Sequence, residues 1–165
     1  MILRSLALAA GIAGAFGAAQ FPAYSQQYLQ RLGGAVDALE QVVAEFDASA
    51  AAVGLTRQEA LTQMRGTAFV ERRRADMTRA IRRYEILQAD FSALTGKGPF
   101  MRAYHVGHLS DAEIARGTWA AFQPAFPMTL ATLLFALAGF ITSALGFGAL
   151  LAVLRWPVRR KLKLA

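Results

Sequence analysis

His105, His108 and Asp111 stand three residues apart, and on a helix that spacing would set two imidazoles and a carboxylate along one side as metal ligands. The local context argues otherwise. Gly107 and the capping signal Ser110-x-x-Glu113 put both histidines ahead of a helix rather than on one. The chain holds 2 His and no Cys, so no further strong ligand stands nearby. We read the stretch as a polar loop near a membrane surface, and a metal-dependent enzyme or sensor built on His105 and His108 stays the remaining alternative.

A second cluster is basic. Arg72, Arg73, Arg74, Arg79, Arg82 and Arg83 fall within one predicted helix, with Glu71, Asp76 and Glu85 among them. They can form a solvated face laced by ion pairs one turn apart, a docking stripe for an acidic partner, or a contact with anionic lipid. Arg72, Arg79 and Arg83 share a side, and with Tyr84 and Leu87 they make the candidate partner-contact surface. Catalytic constellations are missing from the sequence. It has no Gly-rich phosphate loop, no His-Glu-x-x-His, no Gly-x-Ser-x-Gly and no carboxylate pair in an apolar setting. The expectation is a protein that is not an enzyme and carries no cofactor and no metal.

The elements that would position these residues follow from where charge is and is not. The chain has 165 residues, 55% of them hydrophobic, and a formal net charge of +7. All 11 acidic residues lie in 37–113, and that middle region is close to neutral. The positive excess sits at the ends, in Arg4 and in Arg155, Arg159, Arg160, Lys161 and Lys163, beside charge-free apolar stretches. That is the distribution of a positive-inside membrane protein and not of a nucleic-acid binder. Residues 128–154 contain no ionisable group, and a 27-residue helix is about 40 Å long, enough to cross a hydrocarbon core of about 30 Å. Trp156 follows as an interfacial anchor, and Phe122, Pro124, Phe126 and Pro127 mark the opposite interface.

The N-terminal run 2–19 is apolar, short and rich in Gly and Ala. Two readings stay open: a first transmembrane helix continued to Ala23, or a signal sequence with Arg4 ahead of an apolar core and small residues at Gly17 and Ala19. Gly11, Ala15 and Ala18 repeat as small residues on one helical face, and the second span has Gly139, Ser143 and Gly146 in the series with Ala136. Such faces let membrane helices approach closely. With no Asp, Glu, Lys, Arg or His past Arg4 in either span, no proton or ion pathway is visible.

Between the spans the pattern is helical throughout. Leu29, Leu32, Val36, Leu39, Val43 and Phe46 step by three and four, a heptad seam, with Gly33 and Gly34 as a place for a kink or close contact. A capping box, Thr56-x-x-Glu59, opens a connector with Leu61 and Met64 inward. A longer helix ends near Leu94, with Val70, Met77, Ala80, Tyr84, Leu87, Phe91 and Leu94 on its seam and Gly96 beyond. The Ser110 box then opens an amphipathic helix with Ile114, Ala115, Trp119 and Phe122 on its face. Two long seams joined by a short connector predict an antiparallel, coiled-coil-like hairpin.

The fold expected is an all-α membrane protein: an N-terminal span at 1–23, a periplasmic helical hairpin domain at 24–123, a C-terminal span at 124–156 and a basic cytoplasmic tail at 157–165. The segment QFPAYSQQYLQRLGGAVDALEQVV at 20–43, the run GLTRQEAL at 54–61 and EIARGTWAAFQPAFPMTL at 113–130 resemble a proteobacterial membrane-protein family known as a domain of unknown function. The resemblance implies a small bacterial inner-membrane protein and brings no activity or site residues with it. The function expected is a non-enzymatic accessory, assembly or scaffold element in the bacterial inner membrane, with both termini cytoplasmic, in contact with membrane lipid and a protein partner. A homo-oligomeric envelope-organising protein is the alternative, and nucleic acid is not an expected partner.

Overall fold

A computed structural model describes residues 2–124 and 129–162, with side chains placed for 5–124 and 129–153. Phe126, Pro127 and Lys163 lie outside the described residues. So do the side chains of Arg4, Trp156 and the basic residues 155–161. Every regular element among the described residues is helical: α1 (Ile2–Ala19), α2 (Phe21–Ala52), α3 (Arg57–Gln63), α4 (Ala68–Leu94), α5 (Pro99–Tyr104), α6 (Ala112–Ala121) and α7 (Leu130–Leu162), with a 3-10 turn at Val106–His108. The chain divides into two units, one of residues 1–25 and 122–165, the other of residues 26–121.

The first unit is an apolar helix pair. Small residues set its spacing: a Cβ on Gly11 would stand 2.7 Å from the Phe140 ring, one on Gly14 would collide with Ser143, and one on Gly139 would run into the Gly14 carbonyl and Ala18. These partners, together with Phe21 against Phe135 at 5.2 Å between ring centroids, pair early residues of one helix with late residues of the other, so α1 and α7 run in opposite directions. The outer faces stay apolar, with Ile12 59% and Leu133 67% exposed. Leaving many large aliphatic groups uncovered in water would cost about 1.5–3 kcal/mol for each side chain, whereas lipid covers them at no such cost. The helical stretch beginning at Ser5 and the segment Leu130–Val153 are each long and apolar enough to cross a membrane. Pro22 enters the first turn of α2, where its missing N–H breaks no helical bond.

The second unit is built from helices whose ends are set locally. At the end of α2, Gly54 takes φ +74°, and Leu55 N–H reaches the Ala50 carbonyl at 3.0 Å while Gly54 N–H reaches Ala51 at 3.0 Å. This is the Schellman pattern, which needs a left-handed residue. The Thr56 and Glu59 capping box is present in both directions: Glu59 N–H donates to Thr56 Oγ1 at 3.3 Å, and Thr56 N–H donates to Glu59 Oε2 at 2.8 Å. Arg57 donates through Nε to Asp47 Oδ1 at 2.7 Å, tying the start of α3 back to α2.

The core takes Leu29, Leu32, Val36 and Val43 from α2, Leu61 from α3, Ile81, Leu87 and Leu94 from α4, and Ile114 from α6. Val43, Leu61 and Ile81 form one cluster, flanked by Phe46, Met64, Met77 and Tyr84. Gly33 faces the Phe91 ring, where an added Cβ would sit at 3.0 Å, so of the kink or close contact open at Gly33 and Gly34 the close contact is present at Gly33, and Gly34 has nothing within 4 Å. Two positions differ from the sequence pattern. Ile81 is the more buried residue where the spacing favoured Ala80, because a larger side chain at a neighbouring angle fills the space against Val43 and Leu61. On α6 the inward residues are Ile114 and Thr118, and Trp119 is 73% exposed. Thr118 bonds its own helix, donating to the Ile114 carbonyl at 2.8 Å, which lets a hydroxyl be buried at small cost.

Candidate functional site

Along α4, Arg79, Arg82 and Arg83 border an open groove of about 580 Å³ whose walls include Leu39, Ile86, Leu87 and Asp111. The three arginines differ in what already holds them. Arg79 pairs with Asp76 one turn earlier on the same helix. Arg83 reaches Glu113 Oε2 at 2.7 Å and Asp111 Oδ2 at 3.5 Å, and so joins α4 to the start of α6. Arg82 is exposed and forms no ion pair among the described residues, and Ile86 beside it is 52% exposed. An uncompensated guanidinium next to an uncovered aliphatic group can accept a carboxylate or phosphate carried by an otherwise apolar molecule.

Asp111 has a structural duty at the same place. Its Oδ1 accepts from Glu113 N–H at 3.0 Å and Ile114 N–H at 2.8 Å, which makes it the cap of α6. The expected Ser110 box is therefore displaced by one residue, because the carboxylate accepts two of the unpaired N–H groups and also faces Arg83.

Of the other predicted contact residues, Leu87 lines the same groove and is 1% exposed, and Tyr84 packs on the Val43 cluster. Arg72 is exposed and has no ion pair among the described residues. Of the helix-packing residues, Gly11, Ala18, Gly139 and Ser143 meet in the α1–α7 contact, Ala15 is half-buried, and Gly146 has open space around it. Gly14 completes that contact outside the small-residue series read from the sequence, although its spacing from Gly11 and Ala18 puts it within reach of the same face.

The histidines are held apart from one another. His105 closes α5 and His108 ends the 3-10 turn, so neither is on a long helix, and the short helix α5 stands where the sequence pattern predicts a loop. Lys97 Nζ, which can only donate, bonds His105 Nε2 at 3.0 Å, so that nitrogen presents its lone pair. His108 Nδ1 donates to Asp90 Oδ1 at 2.7 Å. Their rings are 6.0 Å apart, and Asp111 is committed to α6 and Arg83. Among the described residues no group of three His, Cys, Asp or Glu has a metal-binding arrangement.

Electrostatics elsewhere in this unit are local. The Arg57 hydrogen bond holds the Asp47 carboxyl below its ordinary range, and the Thr56 backbone and hydroxyl do the same for Glu59. Burial pushes the Arg102 guanidinium down.

No curated protein and no solved structure matched the chain. A family model did, over residues 2–160, and with that extent the chain belongs to the family described as "Protein of unknown function (DUF2937)".

Proposed function

We propose that this chain is a non-enzymatic bacterial inner-membrane protein whose helical unit 26–121 lies in the periplasm as a hairpin and serves as an accessory or assembly element for a membrane complex. The basic residues Arg155, Arg159, Arg160, Lys161 and Lys163, which follow the apolar segment Leu130–Val153, support cytoplasmic termini by the positive-inside rule. The observation that carries the partner reading is Arg82, exposed without a counter-ion beside exposed Ile86 in the α4 groove. The partner that fits is an acidic amphipathic segment, with its carboxylates on Arg82 and its apolar face on Ile86 and Leu39.

A photo-crosslinking residue at Ile86, in the full chain expressed at native level, tests this. A discrete adduct that disappears in Arg82→Glu supports the reading. Labelling at Ile86 no different from that at exposed Thr62 would remove it. A second reading, a homo-oligomer packed through its spans, draws on Gly146, which is open on α7. Gly146→Leu should then lower the native mass in mild detergent.

A further inference from the structure

Gly117 lies in the interior of α6, where glycine is the least favourable residue after proline. The Arg31 side chain comes from α2 to fill the space a larger residue would use. A Cβ on Gly117 would stand 2.9 Å from Arg31 Nη1 and 3.4 Å from both its Cδ and its Cζ. The guanidinium thus lies against the α6 backbone at the one residue of that turn that admits it. Arg31 is still exposed, and among the described residues its side chain forms no ion pair or hydrogen bond.

A pocket of about 380 Å³ opens beside it, bounded by Gln27, Gln30, Arg31, Thr118 and Ala121, all within the unit 26–121. Gln27, Gln30 and Arg31 fall within about 100° of one face of α2. Neither carboxamide is engaged in a hydrogen bond among the described residues. Thr118 is buried, and its hydroxyl donates to the Ile114 carbonyl. No Asp or Glu is among the described residues that line the pocket, so its positive charge has no counter-ion there.

We propose that this pocket binds a phosphate monoester, carried by a small soluble molecule or by a lipid. A carboxylate presents two oxygens, and the fork of one guanidinium satisfies both. A phosphate monoester presents three, so the amide N–H groups of Gln27 and Gln30 gain an acceptor that a carboxylate would not leave them. Ligand pockets run from about 300 to 1,000 Å³, and a volume at the small end suits a headgroup-sized molecule. The site shares no residue with the α4 groove, so it stands whether or not that groove takes a partner.

The test uses the full-length protein in maltoside detergent and phosphate-free buffer. It is titrated with glycerol 3-phosphate, with dihexanoyl phosphatidic acid and with glycerate, and binding is read by calorimetry. At least one phosphate probe should bind, and more tightly than glycerate. Binding of the lipid probe alone identifies a lipid headgroup, and binding of glycerol 3-phosphate identifies a soluble ester; either result supports the site. Arg31→Gln should weaken that binding by about tenfold or more, the usual effect of losing hydrogen bonds to a charged group. Gly117→Ala keeps every charge and favours the helix, yet it should weaken binding severalfold, because the guanidinium must leave its place. Arg82→Gln, in the α4 groove, should change nothing. Absence of binding by both phosphate probes, or glycerate bound as tightly, would overturn the proposal. So would an unchanged affinity in Arg31→Gln or Gly117→Ala, or an equal loss in Arg82→Gln.

Discussion

The backbone N–H of Asp111 donates to the hydroxyl of Tyr28 at 3.1 Å, across 83 residues of sequence. Tyr28 is fully buried on α2, and Asp111 caps α6 and faces Arg83 of α4, so three helices are referenced to one residue. Tyr28→Phe keeps the ring and removes the acceptor from a part-buried N–H. A loss of about 1 kcal/mol is expected, and Asp111→Ala, which also removes the α6 cap, should cost about 1–2 kcal/mol. Denaturant unfolding in detergent, followed by circular dichroism, measures both.

Leu87 and Ile86 are neighbours with opposite fates. Leu87→Ala opens a cavity in the core of the second unit and should cost about 2–5 kcal/mol. Ile86→Ala removes an exposed side chain and should stay within about 0.5 kcal/mol. Equal losses on unfolding would show that this face of α4 is covered.

Gly14 lets α1 approach α7. Gly14→Leu should drive the helices apart, while Gly17→Leu, with nothing within 4 Å of its Cβ position, should be tolerated. Energy transfer between dyes on Leu6→Cys and Leu150→Cys, both on exposed positions near one end of the pair, reads the separation. Transfer should fall in the first variant alone.

Acid should loosen the α2–α3 junction before the rest of that unit. The Arg57 hydrogen bond to Asp47 and the Thr56 hydrogen bonds to Glu59 lower both carboxyls below their ordinary values of 3.8 and 4.5. A depressed carboxylate stabilises the folded state fully above its ordinary value, and that contribution disappears as pH falls through the folded value. Amide exchange in α3 should therefore accelerate, relative to α4, below about pH 4. In the Asp47→Asn, Glu59→Gln double variant α3 should exchange faster at neutral pH, and the difference should no longer grow with acid.

Much of the local structure was legible in the residues themselves. The charge-free run before Arg155 is visible in composition, and the Thr56 box and the glycines at 54 and 96 are signals contained within four or five positions. The Leu29 to Phe46 seam was legible for the same reason, since helical periodicity repeats over short distances.

What tertiary structure decided lies beyond that range. Whether Ala80 or Ile81 fills the core depends on Val43 and Leu61, and whether Leu87 is a contact or an interior residue depends on how α4 packs. Asp111 takes over the α6 cap from Ser110 in a place shared with Tyr28 and Arg83, far away in sequence. Gly14 matters because Ser143 and Gly139 come to meet it. Spacing along one helix tells which residues share a face, but the identity of the facing partner is set by chain-distant packing, and that partner determines which arginine is satisfied and which is left open.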